Sequence, residues 1–360
     1  MSNRHIRSLV FYGLGIAVLF FLIWWNWKPS SDGKWPGLAN LLRMEFHWQA
    51  LAIGAGCFLV ALLFQFVRWF VLVRAQDLPF TFVNAIRLGL IGFFFNSVLP
   101  AGSVGGDLVK AAFIAKEQTR RTVAVSTVLI DRATGLWGLI WLAFLAGAIF
   151  WAADISGVAS EPRMRSIIVI LGAILAGTVV VWLSLGLLPQ RRADKFAGRL
   201  SRIPKIGHSA AEFWRAIWMY RLKRSYIGLA LLLTIGAHIC FVLSFYFAAH
   251  IFQEPGKPIE VPSLAQHFLI VPICSASQAF IPLPGGIGAG EGMYGGFYSL
   301  LGFEEGYGFL ACFVQRVIII YGWSIIGYFV YLQMRPALAP VKKSASDEPE
   351  SAEVALDSAR

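Results

Sequence analysis

Two pairs of an acid and an arginine recur at one spacing in this 360-residue chain. Asp107 precedes Arg132 by the same interval that separates Glu291 from Arg316. Both arginines fall in long apolar segments, where a charged side chain costs about 2.5–3.5 kcal/mol on insertion scales. A guanidinium presents a planar fork that suits a phosphate or a carboxylate. The pattern therefore indicates a buried site for an anion.

Each acid directly follows a segment that is broken by glycine and proline. A helix that begins after such a break directs unpaired N–H groups and a partial positive charge toward its start, which also suits an anion. The breaks contain Gly102 and Gly286, and they are flanked by Asn96 and Gln278, side chains that would line a cavity. We therefore take as candidate substrate-binding residues Arg132, Arg316, Asp107, Glu291, Asn96, Gln278, Gly102 and Gly286.

These residues also have purely structural interpretations. The acids could do no more than accept hydrogen bonds from N–H groups at a helix start. The arginines could form fixed internal ion pairs, for instance Arg132 with Asp107 or with its neighbour Asp131. Asn96 and Gln278 could cap broken helices. Both kinds of role can coexist, and the sequence leaves the alternatives open.

The composition is that of a polytopic membrane protein, because 57% of the residues are hydrophobic and only 14% are charged. Soluble domains carry about 25% charged residues. In a soluble chain the net charge of +11 would suggest nucleic acid, but no nucleic-acid partner is expected with this composition. A helix needs about 20 apolar residues to cross the hydrocarbon core. Six segments reach that length: 9–27, 50–73, 123–151, 167–188, 226–252 and 308–333.

Two further apolar regions contain the proline and glycine breaks and are predicted to be re-entrant helical hairpins. The first has arms at 84–98 and 108–116, and the second has arms at 264–281 and 291–301. The second arm of each is too short to cross the bilayer at about 1.5 Å per residue. An irregular tip is tolerated at membrane depth only where it is buried in protein or lines a polar cavity.

The distribution of Lys and Arg predicts that both termini lie in the cytoplasm. With six crossings, 23 of the 31 basic residues fall in cytoplasmic segments, a count that includes Arg68 and Lys110. Six fall outside, and Arg132 and Arg316 remain within spans. The positive-inside rule favours this orientation, in which the first hairpin enters from the cytoplasm and the second from outside.

A single shift of the sequence along itself superimposes the two broken regions, with Asp107 on Glu291 and Arg132 on Arg316. Three crossings separate these regions, so the halves are predicted to form an inverted repeat, with repeat A at about 9–151 and repeat B at about 167–333. Inverted repeats with broken helices are typical of secondary transporters. The predicted domains are thus a transmembrane domain at 1–335 and a disordered cytoplasmic tail at 336–360, which is rich in Ser, Glu, Asp and Ala.

Other parts of the sequence give weaker indications. The four cysteines lack disulfide or metal spacing, and no metal or cofactor is expected. The segment Gly102–Lys110 lacks the GK[ST] ending of a phosphate-binding loop. His238, His250 and His267 have no ligand partner one turn away and are predicted to be structural. The basic stretch 191–224 suits either an interfacial helix on anionic lipid or an ordinary cytoplasmic loop.

The motifs resemble those of the lysylphosphatidylglycerol synthase transmembrane region, also called the flippase-like domain. The matching residues are Asn96-x3-Pro100, Gly105-Gly106-Asp107, Asp131-Arg132, Pro284 to Gly288 with Glu291, and Arg316. The resemblance covers about residues 8–335. It implies that Asp107, Arg132, Glu291 and Arg316 occupy the family's charged positions.

The resemblance implies that full-length synthases have two halves. The membrane half flips aminoacylated phosphatidylglycerol, and the soluble half makes it. The soluble half is expected to be absent here, so no tRNA-dependent chemistry is expected. Stand-alone members are linked to varied lipids, including polyprenyl-linked sugars, hopanoids and phospholipids. The expected partner is therefore an anionic phospholipid or a polyprenyl (isoprenoid) lipid in the membrane.

The leading hypothesis is a lipid flippase or transporter of the cytoplasmic (inner) membrane that moves an anionic, phosphate-bearing lipid or lipid-linked headgroup and is not an enzyme. One alternative is a membrane-embedded lipid-linked glycosyl or acyl transferase, for which no catalytic constellation is found. Another is a scaffold whose basic loop recruits a cytoplasmic lipid-modifying enzyme or lipid synthase.

Overall fold

The fold is all-α, as expected for a polytopic membrane protein. The computed structural model describes residues 13, 16–29, 35–99, 104–155, 160–204, 206–253, 261–278, 281, 283 and 286–338. Gly102 and residues 339–360, which make up most of the predicted tail, lie outside these described residues.

Most of the helices follow one another with short connections, apart from the longer segments 26–47 and 249–263. In chain order the α-helices are α1 (Ile16–Trp25), α2 (Trp48–Ala75), α3 (Phe82–Val98), α4 (Gly105–Glu117), α5 (Arg121–Ala152), α6 (Pro162–Leu187), α7 (Gln190–Leu200), α8 (Gly207–Tyr220), α9 (Arg224–Ala248), α10 (Leu264–Gln278), α11 (Ala289–Leu300), α12 (Glu305–Val314) and α13 (Tyr321–Leu338). A 3₁₀ helix spans Leu38–Arg43, and a π-helical segment, Gln315–Ile320, joins α12 to α13.

Five long apolar helices correspond to five of the six predicted spans. Helices α2, α5, α6, α9 and the continuous stretch Glu305–Met334 are long and apolar enough to cross a membrane. Of the predicted first span, 9–27, the structure describes the shorter helix α1. The basic stretch 191–224 forms the two helices α7 and α8 before α9 begins.

Helix α6 shows how lipid exposure follows from sequence. Its buried residues, Met164, Ile168, Leu171 and Leu175, recur at intervals of three and four and so form one stripe along the helix. That stripe packs in a cluster with side chains of α5, including Leu139 and Ala143. Only 17% of the most apolar window of α6 is buried, so most of its surface is available to lipid acyl chains.

Both predicted breaks separate two short helices, as expected for helical hairpins. The first pair is α3 and α4, and the second is α10 and α11. Gly286 and Gly288 lie just before α11 with φ of +71° and +81°, a conformation that glycine adopts without steric penalty. The helix therefore cannot continue through this segment.

The two halves of the chain share their helix spacing. The interval from the start of α4 at Gly105 to the start of α5 at Arg121 equals the interval from the start of α11 at Ala289 to the start of α12 at Glu305. The packing is reciprocal as well, because α3 of the first half packs on α13, while α10 of the second half packs on α5. Helices α2 and α9, the corresponding spans of the two halves, pack against each other. These relationships support the predicted repeat.

Contacts between distant loops sort them into two ends of the bundle. At one end Glu45–Phe46 (β1) pairs antiparallel with Phe252–Gln253 (β2). At the other end Gln76 donates to the carbonyl of Ala216 at 2.9 Å, and Lys223 contacts Asp77 at 3.1 Å. The predicted order of crossings places 45 and 252 on one side and 76 and 216 on the other, in agreement with these contacts.

Two details differ from the sequence-based expectations. The last span is not one regular α-helix, since the π-helical segment interrupts it at Gln315. The predicted spans begin at 123 and 308, whereas the helices begin earlier, at Arg121 and Glu305, so that Arg132 and Arg316 each lie about three turns after a helix start.

Candidate functional site

A cavity of about 360 Å³ lies between the two hairpins. Its walls come from both halves of the chain, including α2, α3, α4, α5, α9, α10 and the π-helical segment. Six of the eight predicted site residues line it: Asn96, Asp107, Arg132, Gln278, Gly286 and Arg316. Glu291 lies behind this lining and bonds to Arg316, and Gly102 lies outside the described residues. The structure therefore brings seven of the eight candidates together.

The second half contributes a tight ion pair. Arg316 Nε donates to Glu291 Oε1 at 2.7 Å, and Arg316 Nη2 donates to the carbonyl of Gly286 at 3.3 Å. Glu291 is fully buried, and its Oε2 accepts from the backbone N–H of Gly288 at 2.8 Å. Glu291 thus has both structural roles that the sequence left open, since it caps α11 and holds the arginine.

The arginine of the first half is held more loosely. Arg132 Nε lies 3.7 Å from Asp107 Oδ2, and the Arg132 side chain is 39% exposed, against 8% for that of Arg316. Asp107 Oδ2 is buried, and no described residue forms a hydrogen bond with it. The N–H of Gly106 is taken by Asn96 Oδ1 at 2.7 Å, so Asn96, and not Asp107, accepts at this helix start. Within the described residues Asp107 therefore has one ionic neighbour from α5 and no capping bond.

A second ion cluster in the first half was missed as a site. Arg68 Nε donates to Asp131 Oδ1 at 2.7 Å, and Lys110 Nζ lies 3.5 Å from Asp131 Oδ2. Arg68 also donates to Thr234 Oγ1 at 3.2 Å, and Lys110 lies over the ring of Trp69, 4.2 Å from its centroid. The charged side chains are at most 10% exposed, and all three residues line the cavity.

This cluster corrects the sequence-based charge distribution. Arg68 and Lys110 were counted among the cytoplasmic charges, but their exposed fractions are only 4% and 8%. The cost of burying an ion is several kcal/mol, so such residues are paired with an opposite charge. The available signal was Asp131, because an acid inside a span requires a buried cation, and Arg68 lies two turns before the end of α2.

The repeat is therefore unequal in charge. When the halves are aligned with Asp107 on Glu291, Gln315 corresponds to Asp131 and Tyr294 corresponds to Lys110, and both neutral residues line the cavity. Gln315 Nε2 is buried and has no hydrogen-bond partner among the described residues. The first half thus gives the cavity most of its charge, while the second half gives it one arginine and neutral polar groups.

The two amide residues occupy similar places, counted from the first residue of each helix. Asn96 lies as far along α3 from its first residue as Gln278 lies along α10. A Cβ atom at Gly286 would lie 2.9 Å from Gln278 Oε1, so glycine allows the close approach of this amide to the break. Both amides lie in the wall of the cavity, next to the breaks that they flank.

The cavity has a small excess of positive charge. Among the described residues its lining holds the cations Arg68, Lys110, Arg132 and Arg316 and the acids Asp107 and Asp131. Glu291, bonded to Arg316, adds a third acid, which leaves one net positive charge. An anion that enters this low-dielectric space is attracted more strongly than it would be in water.

The remaining candidates have structural partners. His267 is fully buried between the carbonyl of Ser263, at 2.9 Å, and the hydroxyl of Tyr298, at 2.8 Å. His238 Nε2 lies 2.9 Å from the carbonyl of Gly135, although His238 also lines the cavity. Both histidines are thus hydrogen-bonded, as predicted for structural residues.

The helices of the basic stretch pack against the rest of the protein. Trp214 Nε1 of α8 donates to the carbonyl of Ala193 of α7 at 3.1 Å, and Tyr220 donates to the carbonyl of Leu72 at 2.8 Å. These bonds attach α7 and α8 to the end of the bundle at which Gln76 donates to the carbonyl of Ala216.

Comparison with known proteins identifies the architecture. The sequence profile of the lysylphosphatidylglycerol synthase TM region matches residues 10–327. The chain is 22% identical over 345 residues to a UPF0104 membrane protein of Pyrococcus horikoshii, with 90% of this chain and 96% of that protein covered. It is 25% identical over 284 residues to a UPF0104 membrane protein of Methanothermobacter thermautotrophicus, with 75% and 80% covered. No solved structure matches significantly. The chain is thus an integral, multi-pass membrane protein that belongs to the lysylphosphatidylglycerol synthase TM-region family.

Proposed function

We propose that this protein is a flippase or transporter for an anionic, phosphate-bearing lipid. The headgroup crosses through the cavity between the hairpins, while the acyl or isoprenoid chains stay in the surrounding hydrocarbon. The cationic lining, including Arg132 and Arg316, offsets the loss of water around the phosphate. The observation that carries this proposal is a cavity with four cationic side chains inside an apolar bundle.

The architecture supports movement of the ligand across the membrane. In secondary transporters the substrate site lies where broken helices of two inverted repeats meet, and transport results from rocking of one repeat against the other. Here α3 packs on α13 and α10 on α5, so each hairpin lies against the last span of the other half. A relative motion of the halves would therefore open the cavity on alternate sides.

We place the protein in the cytoplasmic membrane, with both termini in the cytoplasm. In this orientation six helices cross, the α3–α4 hairpin enters from the cytoplasm, and the α10–α11 hairpin enters from outside. Helices α7 and α8 then lie on the cytoplasmic side, together with the basic residues Arg191, Arg192, Lys195, Arg199 and Arg215. This distribution follows the positive-inside rule.

A reconstitution assay tests the proposal. Purified full-length protein is incorporated into liposomes that contain traces of fluorescent phosphatidylglycerol, phosphatidic acid, a polyprenyl phosphate or phosphatidylcholine, and dithionite is added to bleach the outer leaflet. We expect loss of protected fluorescence for at least one anionic lipid. If wild type and the Arg132→Ala plus Arg316→Ala double variant move every anionic lipid equally slowly, the proposal is wrong.

The same liposomes distinguish the two alternatives. A membrane-embedded transferase would convert a labelled lipid into a product of different chromatographic mobility without any partner protein. A scaffold would lose a cytoplasmic partner in pull-down after deletion of 191–224, while lipid movement by the remaining protein stayed unchanged.

A further inference from the structure

The two arginines of the cavity differ in how many of their donors are used. Arg316 contacts Glu291 at 2.7 and 3.5 Å, the Gly286 carbonyl at 3.3 Å and Cys312 Sγ at 3.7 Å. Arg132 donates no hydrogen bond to any described residue, and its nearest acid, Asp107, lies 3.7 Å from Nε. A guanidinium has five N–H donors, so Arg132 retains almost all of its capacity to bind an oxyanion.

Lys110 is the second cation with unused donors. The acid nearest to Lys110 Nζ is Asp131, whose Oδ2 lies 3.5 Å away. Asp131 makes its shorter contact, 2.7 Å, through Oδ1 with Arg68 Nε. An ammonium group has three donors, and the face of Trp69 attracts the charge without accepting a strong hydrogen bond. Lys110 follows Asp107 by three residues on α4, so the two side chains project from the same face of this helix.

The placement of Asp107 then requires an explanation. Its Oδ2 atom is buried without a hydrogen-bond partner in the part of the chain that the structure describes, and the N–H group of Gly106 is already bonded to Asn96. A buried carboxylate oxygen without a hydrogen bond is unfavourable, and no capping bond at this helix start explains the position of Asp107. Its negative charge nevertheless lies where it faces the unused donors of Arg132.

We propose that Arg132 and Lys110 form a binding site for a phosphodiester. Asp107 competes with this ligand, because its carboxylate balances the positive charge of the site when the ligand is absent. Arg316 acts differently, because its donors are held by Glu291 in a pair that fixes the second break, and only its positive charge acts on the ligand. This inference rests on the proposed function, which makes an anionic headgroup the ligand.

The charge of the cavity favours a phosphodiester as the ligand. The cavity has one net positive charge when Glu291 is included, and a phosphodiester carries one negative charge at neutral pH. Arg132 offers a fork for two phosphate oxygens, and Lys110 offers a point charge for a third contact. When the phosphodiester arrives, Asp107 loses its ionic neighbour, and this loss weakens binding and speeds release.

A titration without a bilayer tests the competitor role. Purified full-length protein in detergent is titrated with dihexanoyl phosphatidylglycerol below its critical micelle concentration, and heat is measured by isothermal titration calorimetry. We expect Arg132→Gln to weaken binding by about tenfold or more, which corresponds to the loss of a charge-assisted contact. We expect Asp107→Asn to strengthen binding by about tenfold, because the competing charge is removed.

The matched control is the equivalent acid of the second half. Glu291→Gln is expected to lower the melting temperature and to leave affinity unchanged or weaker, since Glu291 holds a structural pair. An equal gain of affinity in Asp107→Asn and Glu291→Gln would overturn the inference, as would unchanged or weaker binding by Asp107→Asn that retains its melting transition. If Asp107→Asn does not fold, Asp107→Glu serves instead: its longer side chain reaches Arg132, so affinity must fall, and unchanged affinity overturns the proposal.

Three further ligands define the source of the phosphodiester. Soluble glycerophosphoglycerol that binds as tightly as the lipid would support the site and assign it a free phosphodiester, whereas much weaker binding would assign it a lipid headgroup. Inorganic phosphate, which is not a diester, and dihexanoyl phosphatidylcholine, whose choline cation cancels the charge of its phosphodiester, are expected to bind more weakly. Failure of both dihexanoyl phosphatidylglycerol and glycerophosphoglycerol to bind the wild type at millimolar concentration would overturn the site.

The titration tests the anion site and the liposome assay tests transport, so a negative result in one does not decide the other. Binding with the expected effects of the variants, but without lipid movement in liposomes, would overturn the proposed transport and leave the anion site in place. Lipid movement together with equal effects of Asp107→Asn and Glu291→Gln on affinity would overturn the competitor role and leave transport in place.

Discussion

Arg132 and Asp107 form the loosest ion pair of the cavity, with 3.7 Å between Nε and Oδ2. Their counterparts in the second half, Arg316 and Glu291, are 2.7 Å apart and nearly inaccessible. One repeated motif is therefore used in two ways. The second copy forms a closed pair that fixes a helix break, and the first copy leaves a guanidinium open to the cavity.

Removal of one partner from the closed pair should be strongly destabilising. Glu291→Gln leaves the guanidinium of Arg316 buried without a counter-charge, and breaking such a pair costs about 3–5 kcal/mol. We expect a large fall in melting temperature, measured by size-exclusion chromatography after heating. The control is Glu212→Gln on α8, whose partly exposed side chain faces the exposed His208 and whose loss should change stability by less than about 0.5 kcal/mol.

A second change separates charge from shape at this pair. The double variant Glu291→Gln with Arg316→Met removes both charges, and replacement of a whole buried pair by well-packed neutral residues is often close to neutral. We expect the double variant to recover most of the stability that Glu291→Gln loses. If it melts lower than the single variant, Arg316 stabilises the break through its other contacts, and the assignment of Glu291 as its essential partner is wrong.

The close packing of the first hairpin gives a steric prediction. A Cβ atom at Gly106 would overlap with the backbone carbonyl of Gly92, so α3 and α4 must separate to accept Gly106→Ala. Overpacking of this kind costs about 1–3 kcal/mol. We expect a lower melting temperature and reduced lipid movement. Gly56→Ala is the matched control, since within the described residues no atom of another helix lies within 4 Å of its Cβ position, and it should introduce no clash and leave lipid movement unchanged.

The proposed orientation can be tested by cysteine accessibility. In a variant without the four native cysteines, Ser160→Cys and Ser209→Cys introduce single exposed thiols in the 153–161 connection and in α8. A membrane-impermeant maleimide added to intact spheroplasts should label Ser160→Cys, and should label Ser209→Cys only after permeabilisation. The opposite pattern would reverse the topology, and labelling of both in intact cells would contradict the number of crossings between them.

Much of the fold could be predicted from the sequence because the bilayer imposes simple requirements. Length and apolar content located five long helices, and proline and glycine located both breaks. The repeat was visible because an acid and an arginine matched at one spacing. The interruption of the last span at Gln315 was not visible, since QRVIII has no proline or glycine and its π-helical geometry depends on packing.

The site was only partly predictable, and Arg68 shows why. Its position near the end of an apolar helix is compatible with a side chain that reaches the cytoplasm, and from the sequence alone it is therefore included among the cytoplasmic basic residues. Only the tertiary structure shows that Asp131 of α5 and Thr234 of α9 accept hydrogen bonds from its guanidinium. The difference between Arg132 and Arg316 was likewise hidden, because both follow an acid at the same interval and only their distances to that acid differ.

The central claim is that the open guanidinium of Arg132 binds the headgroup that is moved. Its most direct test is the initial rate of movement of fluorescent phosphatidylglycerol in liposomes that contain wild type, Arg132→Gln or Arg192→Gln at equal protein density. Loss of a charge-assisted contact predicts a rate at least about tenfold lower for Arg132→Gln. Arg192→Gln, an exposed cation on α7, should move the lipid at the wild-type rate. Equal rates for Arg132→Gln and wild type, with the wild type clearly above empty liposomes, would contradict the claim.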